Sequence, residues 1–424
     1  MDWRNRIGLN GAYFCAMAGI GFTLPYLPVY LSERGLSDRE IGILSTLAAL
    51  SALAQFAVGI WSDRIGRHKP FLVVSLAVLA LSAFALPNAP NGIWLAVAVV
   101  LFAENGVCRA IVESQSGAEA VALADPSEVG RSLGGLRFWK PIGIIMILLI
   151  GGQMAQHHGI GSILAPLAVI QALAFVASLL IHEDQSHRAG AIESPARPDN
   201  PTTPPASQWA DPALWAFIAA MVLFHSANAP GGVYLGLFLE RDLHAERSTL
   251  ATAFVVSMIA WMLVVRPAGL LSDRFGRRPL LIAGWTIMAI RLGIVAIARN
   301  PFEIVMNQAL DGLSNGLFAV LAAAWVTDRL GGARRAGEAQ AIVGTSLVAG
   351  SAIGPYLSAL CVDAIGYRSL FGALAGVGTL ATLILLFAVP ESLARGDEPA
   401  SSPAGRPLAE LTPSALAHGD GAGA

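Results

Sequence analysis

The stretches GIWSDRIGRHKP (Gly59–Pro70) and GLLSDRFGRRP (Gly269–Pro279) are two copies of one short charged loop, each framed by long apolar runs. In the first copy, five ionisable residues fall within the seven positions 63–69. Asp63 and Asp273 stand 210 residues apart in a chain of 424, so the loop recurs after about half the chain. A doubled loop between apolar runs makes the spans on either side the next thing to read.

Charged residues are only 13% of the sequence, against about 25% in a typical soluble domain, and the mean hydropathy is +0.61. A helix needs roughly 20 mostly apolar residues to cross the hydrocarbon core. Twelve segments meet that need: 7–31, 39–61, 71–87, 93–121, 134–155, 163–182, 211–239, 248–271, 279–298, 303–328, 338–363 and 368–389. The runs are continuous rather than alternating, which excludes a membrane barrel. The fold class is therefore an all-α membrane protein of twelve transmembrane helices.

An even number of spans puts both termini on one side. Of the 27 Lys and Arg, 16 lie on that side, six lie opposite and five lie within helices. The positive-inside rule then makes both termini and both charged loops cytoplasmic. Cys15, Cys108 and Cys361 all fall in spans without metal-ligand or disulfide spacing, so no cofactor or metal is expected. The first span is too long for a signal-peptide core and lacks a small-residue cleavage site, so it is read as a helix.

Residues 183–210 are polar and hold five prolines, which reads as a cytoplasmic linker between residues 1–182 and 211–389. The stretch 390–424 is rich in Ala, Gly, Ser and Pro and reads as a disordered tail. YLPVYLSER (26–34) is echoed by YLGLFLER (234–241). Asp63 to Glu119 spans 56 residues and Asp273 to Asp328 spans 55, placing a carboxylate at the end of the fourth helix of each half. Two related six-helix halves follow, with the solute site between them near the bilayer midplane.

Gly59, Asp63, Arg64, Gly66 and Arg67, and again Gly269, Asp273, Arg274, Gly276 and Arg277, resemble the signature loop of the major facilitator superfamily. The resemblance covers everything except the linker and tails, and it implies two pseudo-symmetric six-helix bundles. Within each loop the glycine allows a tight turn, the Asp complements a helix N-terminus and the arginines offer two-pronged bonds to carboxylates. Glu119 and Asp328 are the nearest carboxylates by register. In the superfamily such clusters are thought to latch the cytoplasmic side in the outward-open state. Topology and loop solubility alone would account for a single loop; the doubled pattern with matched carboxylates favours a gate.

Charges within the spans mark candidate sites, since each costs at least about 2.5–3.5 kcal/mol to insert at mid-bilayer. Glu104, Arg109, Glu113 and Glu119 lie in the fourth helix, Arg137 and Lys140 in the fifth. Arg109 and Glu113 have the i,i+4 spacing of a pair on one helix face. These six residues read as a solute site, with a purely structural network as the alternative. GAYFCAMAGIGFTLPYLPVYL, REIGIL and GGLRFWKPIG resemble the lactose permease family and the related phenylpropionate and nucleoside proton symporters. That resemblance places Glu119 and Arg137 at the family's substrate-binding Glu–Arg pair, giving Glu119 two candidate roles, ligand and gate. Lys140 and Pro141 replace the family's small pair, which implies a changed substrate.

The same resemblance puts Arg291 at the family's ninth-helix arginine, Asp311 at its tenth-helix histidine and Ser314 at its proton-carrying glutamate. Asp311 is the substitute proton carrier this implies, because burial favours the neutral carboxyl while a cation such as Arg291 favours the charged one. A static Arg291–Asp311 ion pair is the alternative. A unit charge moved across 100 mV supplies about 2.3 kcal/mol, enough for a roughly fiftyfold gradient. No Gly-Lys dipeptide occurs, hence no Walker A loop of an ATP-driven pump. GSAIGPYLSA (350–359) resembles the kink motif of drug antiporters but sits in the eleventh helix, where small residues serve close packing.

The functional expectation is a proton-coupled secondary transporter of a small organic solute across the cytoplasmic (inner) membrane by alternating access. Its partners are protons, solute and lipid, with no nucleic acid, and it is expected to act as a monomer. The N-terminal half favours symport. Efflux of a drug or metabolite is the alternative, since RPAGLLSDRFGRRP and QALDGLSNGLF resemble exporters. A transporter-like sensor that binds without moving its ligand is the reading of another class. No nucleophile–base constellation suggests an enzyme.

Overall fold

A straight helix of 51 residues would run about 76 Å, more than twice the roughly 30 Å hydrocarbon core. The apolar segment Glu338–Ala388 has that length, and the chain turns within it at Gly366, whose φ is 73° and ψ 166°. The computed structural model describes residues 2–124, 129–182, 211–330 and 336–392. The expected linker, 183–210, and the tail from residue 393 onward lie outside the described residues, which contain helix and no strand.

Among the described residues, twelve spans result. They are α1 (Trp3–Thr23 with Leu27–Glu33), α2 (Asp38–Ser62), α3 (Lys69–Asn88), α4 (Ile93–Ala122), α5 (Gly134–His158) and α6 (Ile160–Leu179). The second set is α7 (Pro212–Arg241), α8 (Arg247–Phe275), α9 (Arg277–Ile297) and α10 (Pro301–Arg329), then α11 and α12 on either side of Gly366. The twelve helices form two pseudo-symmetric bundles of six. Outward-facing side chains such as Leu81, Leu263, Leu270 and Phe387 are exposed, the pattern of a protein whose outer solvent is lipid.

Two spans are broken where the sequence withdraws backbone support. The halves of α1 meet at a 51° bend across residues 24–26, where Pro25 removes a donor and disfavours helix at Leu24. Inside α4 the helix ends at Phe102 and restarts at Val107, leaving Ala103–Gly106 unwound. That gap carries Glu104.

The halves join along two seams, α5 against α8 and α2 against α11. A two-fold that maps α2 onto α8 and α5 onto α11 exchanges these seams, the packing a parallel repeat produces. At the second seam Thr46 Oγ1 donates to Ala352 O at 3.1 Å. The small residues of GSAIGPYLSA do pack closely, though within the second half: Gly350 and Gly354 press on α7 at Val222 and Ser226, where a Cβ would strike backbone.

The repeated loops turn as their glycines require, with Gly66 at φ 67° and Gly276 at φ 97°, a region costly for other L-residues. The last basic residue of each copy, just before the proline, performs a matched task. Lys69 Nζ donates to Ile181 O just past α6, and Arg278 donates to Leu386 O near the end of α12. Each cation satisfies carbonyls that a helix end leaves unpaired.

Candidate functional site

A cavity of about 560 Å³ opens between the two bundles. Six charged residues line it, Glu104, Glu113, Arg137 and Lys140 from the first half and Arg291 and Asp311 from the second. The unwound gap in α4 brings Glu104 to the wall. One helical turn separates Arg137 from Lys140 on α5, so both reach the same side of the space.

On the first wall, Lys140 Nζ donates to Glu113 Oε2 at 2.7 Å, and Tyr13 Oη donates to Glu113 Oε1 at 3.3 Å. Glu113 thus pairs with Lys140 and not with Arg109, contrary to the i,i+4 expectation. The reason lies in where Arg109 turns. It is 2% exposed and points into the bundle. Its Nη1 donates to Ala16 O near the end of the first helical segment of α1, a carbonyl that also receives the Gly19 N–H at 3.4 Å, and its Nε donates to Phe102 O, at 3.1 Å, where α4 unwinds. The Phe102 carbonyl stands at a helix end, where the intrahelical donor is lost, and Arg109 supplies one. Neither Arg109 nor the fully buried Glu119 lines the cavity.

The second wall is a denser polar cluster. Arg291 Nη2 lies 2.9 Å from Asp311 Oδ1 and also donates to Asn228 Oδ1. Asp311 accepts from Ser257 Oγ at 2.6 Å and from Asn315 Nδ2 at 2.9 Å, and Asn228 Nδ2 donates to Asn315 Oδ1 at 2.9 Å. Every oxygen of the Asp311 carboxylate is therefore held, while the side chain keeps 18% of its surface open. Ser314 is fully buried and does not reach the cavity.

Sequence reasoning missed Tyr13, Asn228, Ser257 and Asn315. Asn315 carried a signal, since it lies one turn from Asp311 and shares its face. The others join the site only through packing of α1, α7 and α8. His225 also lines the cavity, at 6% exposure, with its ring edge-on to those of Phe224 and Phe318.

At the end bearing the repeated loops, the second copy forms a network. Arg277 Nε donates to Asp328 Oδ2 at 2.6 Å and Nη1 donates to Asp273 Oδ1 at 3.3 Å. Glu391 accepts from the backbone of Arg277 and Arg278 at 3.0 and 3.1 Å. Asp273 is mostly exposed, and Arg274 rests 5.4 Å from the Phe275 ring centre. In the first copy the side chain of Asp63 lies outside what the structure describes, and Arg64 and Arg67 are exposed. No neighbour crowds Gly59 or Gly269.

The opposite end is closed by contacts between the halves. Arg241 Nη1 donates to Asp38 Oδ1 at 2.8 Å and to Tyr367 Oη at 2.8 Å, and Tyr367 Oη donates to Asp38 Oδ2. Tyr234 Oη adds a bond to Asp38 O at 3.3 Å, and Arg247 pairs with Glu33. Two bundles around a charged cavity, joined at one end by breakable ion pairs, define a membrane transporter of the major facilitator type.

Comparison with known proteins gives the family. The model of the MFS_1-like family matches residues 6–393, and the chain belongs to that family. It is 25% identical over 382 residues to an uncharacterized MFS-type transporter of Mycobacterium tuberculosis, covering 87% of this chain and 89% of the relative. It is 24% identical over 330 residues to the multi-drug resistance efflux pump PmrA of Streptococcus pneumoniae, covering 74% and 79%. The fold is similar to the crystal structure of the nucleoside transporter NupG, with TM-score 0.75 and 13% identity over 91% of this chain and 98% of that one. It is also similar to the inward-open xylose transporter XylE from E. coli, with TM-score 0.68 and 14% identity over 92% and 97%.

Proposed function

We propose that the protein is a proton-coupled symporter, carrying a small organic solute inward across the cytoplasmic membrane as a monomer. The observation that carries this reading is the Arg291–Asp311 pair, which faces the cavity inside a shell of Ser257, Asn228 and Asn315. Protonation releases Arg291, so solute binding and proton binding draw on one set of contacts. Glu104, Glu113, Arg137 and Lys140 form the solute wall. Arg109 and Glu119 support it from behind, Glu119 doing so next to the cytoplasmic loops.

The 16-to-6 distribution of basic residues supports cytoplasmic termini and loops. With the far end latched by Asp38–Arg241 and Glu33–Arg247, the cavity faces the cytoplasm in this arrangement. In the outward-facing state the Arg277–Asp328–Asp273 network and its counterpart in the first half close the cytoplasmic side. Proton-driven efflux is the second reading, favoured by the relatives that are named multidrug pumps. Proteoliposomes with an imposed pH gradient separate the readings. A solute found by thermal-shift screening accumulates on the alkaline side in symport and on the acidic side in antiport. Binding without any flux marks a sensor and contradicts transport.

A further inference from the structure

The charges lining the cavity do not all neutralise one another. Glu113 is held by Lys140 at 2.7 Å and Asp311 by Arg291 at 2.9 Å. That leaves Glu104 and Arg137, which make no hydrogen bond or ion pair among the described residues. Both line the cavity, Glu104 half-buried in the α4 gap and Arg137 exposed to the space. One is an anion and the other a cation, and they sit on the same wall.

Their order along the wall follows from the helix directions. α4 and α5 run antiparallel, so Arg137, near the start of α5, lies toward the repeated loops. Glu104, eighteen residues before the end of α4 at Ala122, lies deeper. The Glu113–Lys140 pair sits between them: Arg137 acts electrostatically on Glu113, and Glu104 feels Lys140, Glu113 and, from behind the wall, Arg109, without an ion pair to any of them. The wall therefore reads cation, neutral pair, anion, from the loop end inward. An unpaired charge facing a partly dehydrated space is costly until something of opposite sign meets it. A purely anionic solute would satisfy Arg137 and bring its own repulsion to Glu104; a cation does the reverse. A neutral solute leaves both unmet.

Building on the transport reading, we propose that the solute is a zwitterion, its anionic group on Arg137 and its cationic group on Glu104, with an apolar body between. The apolar contribution comes from Ile144, Phe254 and Met258, which share the cavity.

The test measures binding of probes to the purified full-length protein. The probes are ω-amino acids of four to eight carbons, each beside its N-acetyl form and its amide. At least one zwitterion is expected to bind tenfold or more tightly than both of its charge-capped forms. Glu104→Gln should bring the zwitterion level with its N-acetyl form, and Arg137→Gln should bring it level with its amide. The inference is overturned if no zwitterion in the length series binds, if capped forms bind as well as the parent, or if neither variant changes the order. Flux of a neutral or singly charged solute in liposomes would overturn this inference while leaving transport intact. Zwitterion binding without flux would do the opposite.

Discussion

At the scale of single residues, two arginines of neighbouring helices have opposite fates. Arg109 ties the first segment of α1 to the α4 break through two carbonyls, whereas Arg137 extends unpaired into the cavity. Bonds from a charged donor are worth about 1.5–3 kcal/mol each, so Arg109→Ala should cost roughly 3–5 kcal/mol and lower the melting temperature by several degrees. Arg137→Ala should leave stability within about 0.5 kcal/mol and weaken ligand binding tenfold or more. Thermal unfolding with and without ligand checks both; a stable Arg109→Ala or an Arg137→Ala that binds as tightly as the native protein would reverse the assignments. The sequence marked both as intramembrane charges but could not sort them. Sorting depended on how α1 packs on α4 and on where α4 unwinds, and no proline announces that break.

Among elements, the repeat explains what could be read early. The doubled loop set two bundles, and its glycines, Gly66 and Gly276, adopt the turn their spacing implied. The register that matched Asp273 with Asp328 brought Arg277 to Asp328. The Glu113–Lys140 pair was not legible, since it joins different helices with no spacing rule between them. The same holds for Asn228 and Ser257, which meet Asp311 only after α7, α8 and α10 have packed. Close packing of α11 on α7 was foreshadowed by the small residues of GSAIGPYLSA. Gly354→Val should therefore drive these helices apart at a cost of about 1–3 kcal/mol, while Gly372→Val, whose Cβ meets nothing nearer than 3.9 Å, should be close to neutral. Equal melting temperatures for the two would contradict the packing account.

For the whole molecule, the two ends of the cavity are set against each other. One end holds Asp38, Arg241 and Tyr367 together across the halves, with Asp38 buried. Arg241 is 40% exposed, so removing its partner costs about 1–3 kcal/mol, and that cost falls on the closed arrangement of this end alone. Asp38→Asn should shift the resting population toward the arrangement open at this end. Spin labels placed one on each half should report longer separations there and shorter ones beside the repeated loops. Unchanged distances would mean that the contact is not a latch.

The proposed function has a proton change the balance between those arrangements, and it assigns that role to Asp311. The most direct measurement compares the native protein, Asp311→Asn and Asp311→Glu in proteoliposomes, reading solute counterflow and accumulation driven by a pH gradient. Native protein and Asp311→Glu should do both, and Asp311→Asn should keep counterflow while losing gradient-driven accumulation. Accumulation by Asp311→Asn at the native level would contradict proton coupling through this carboxylate.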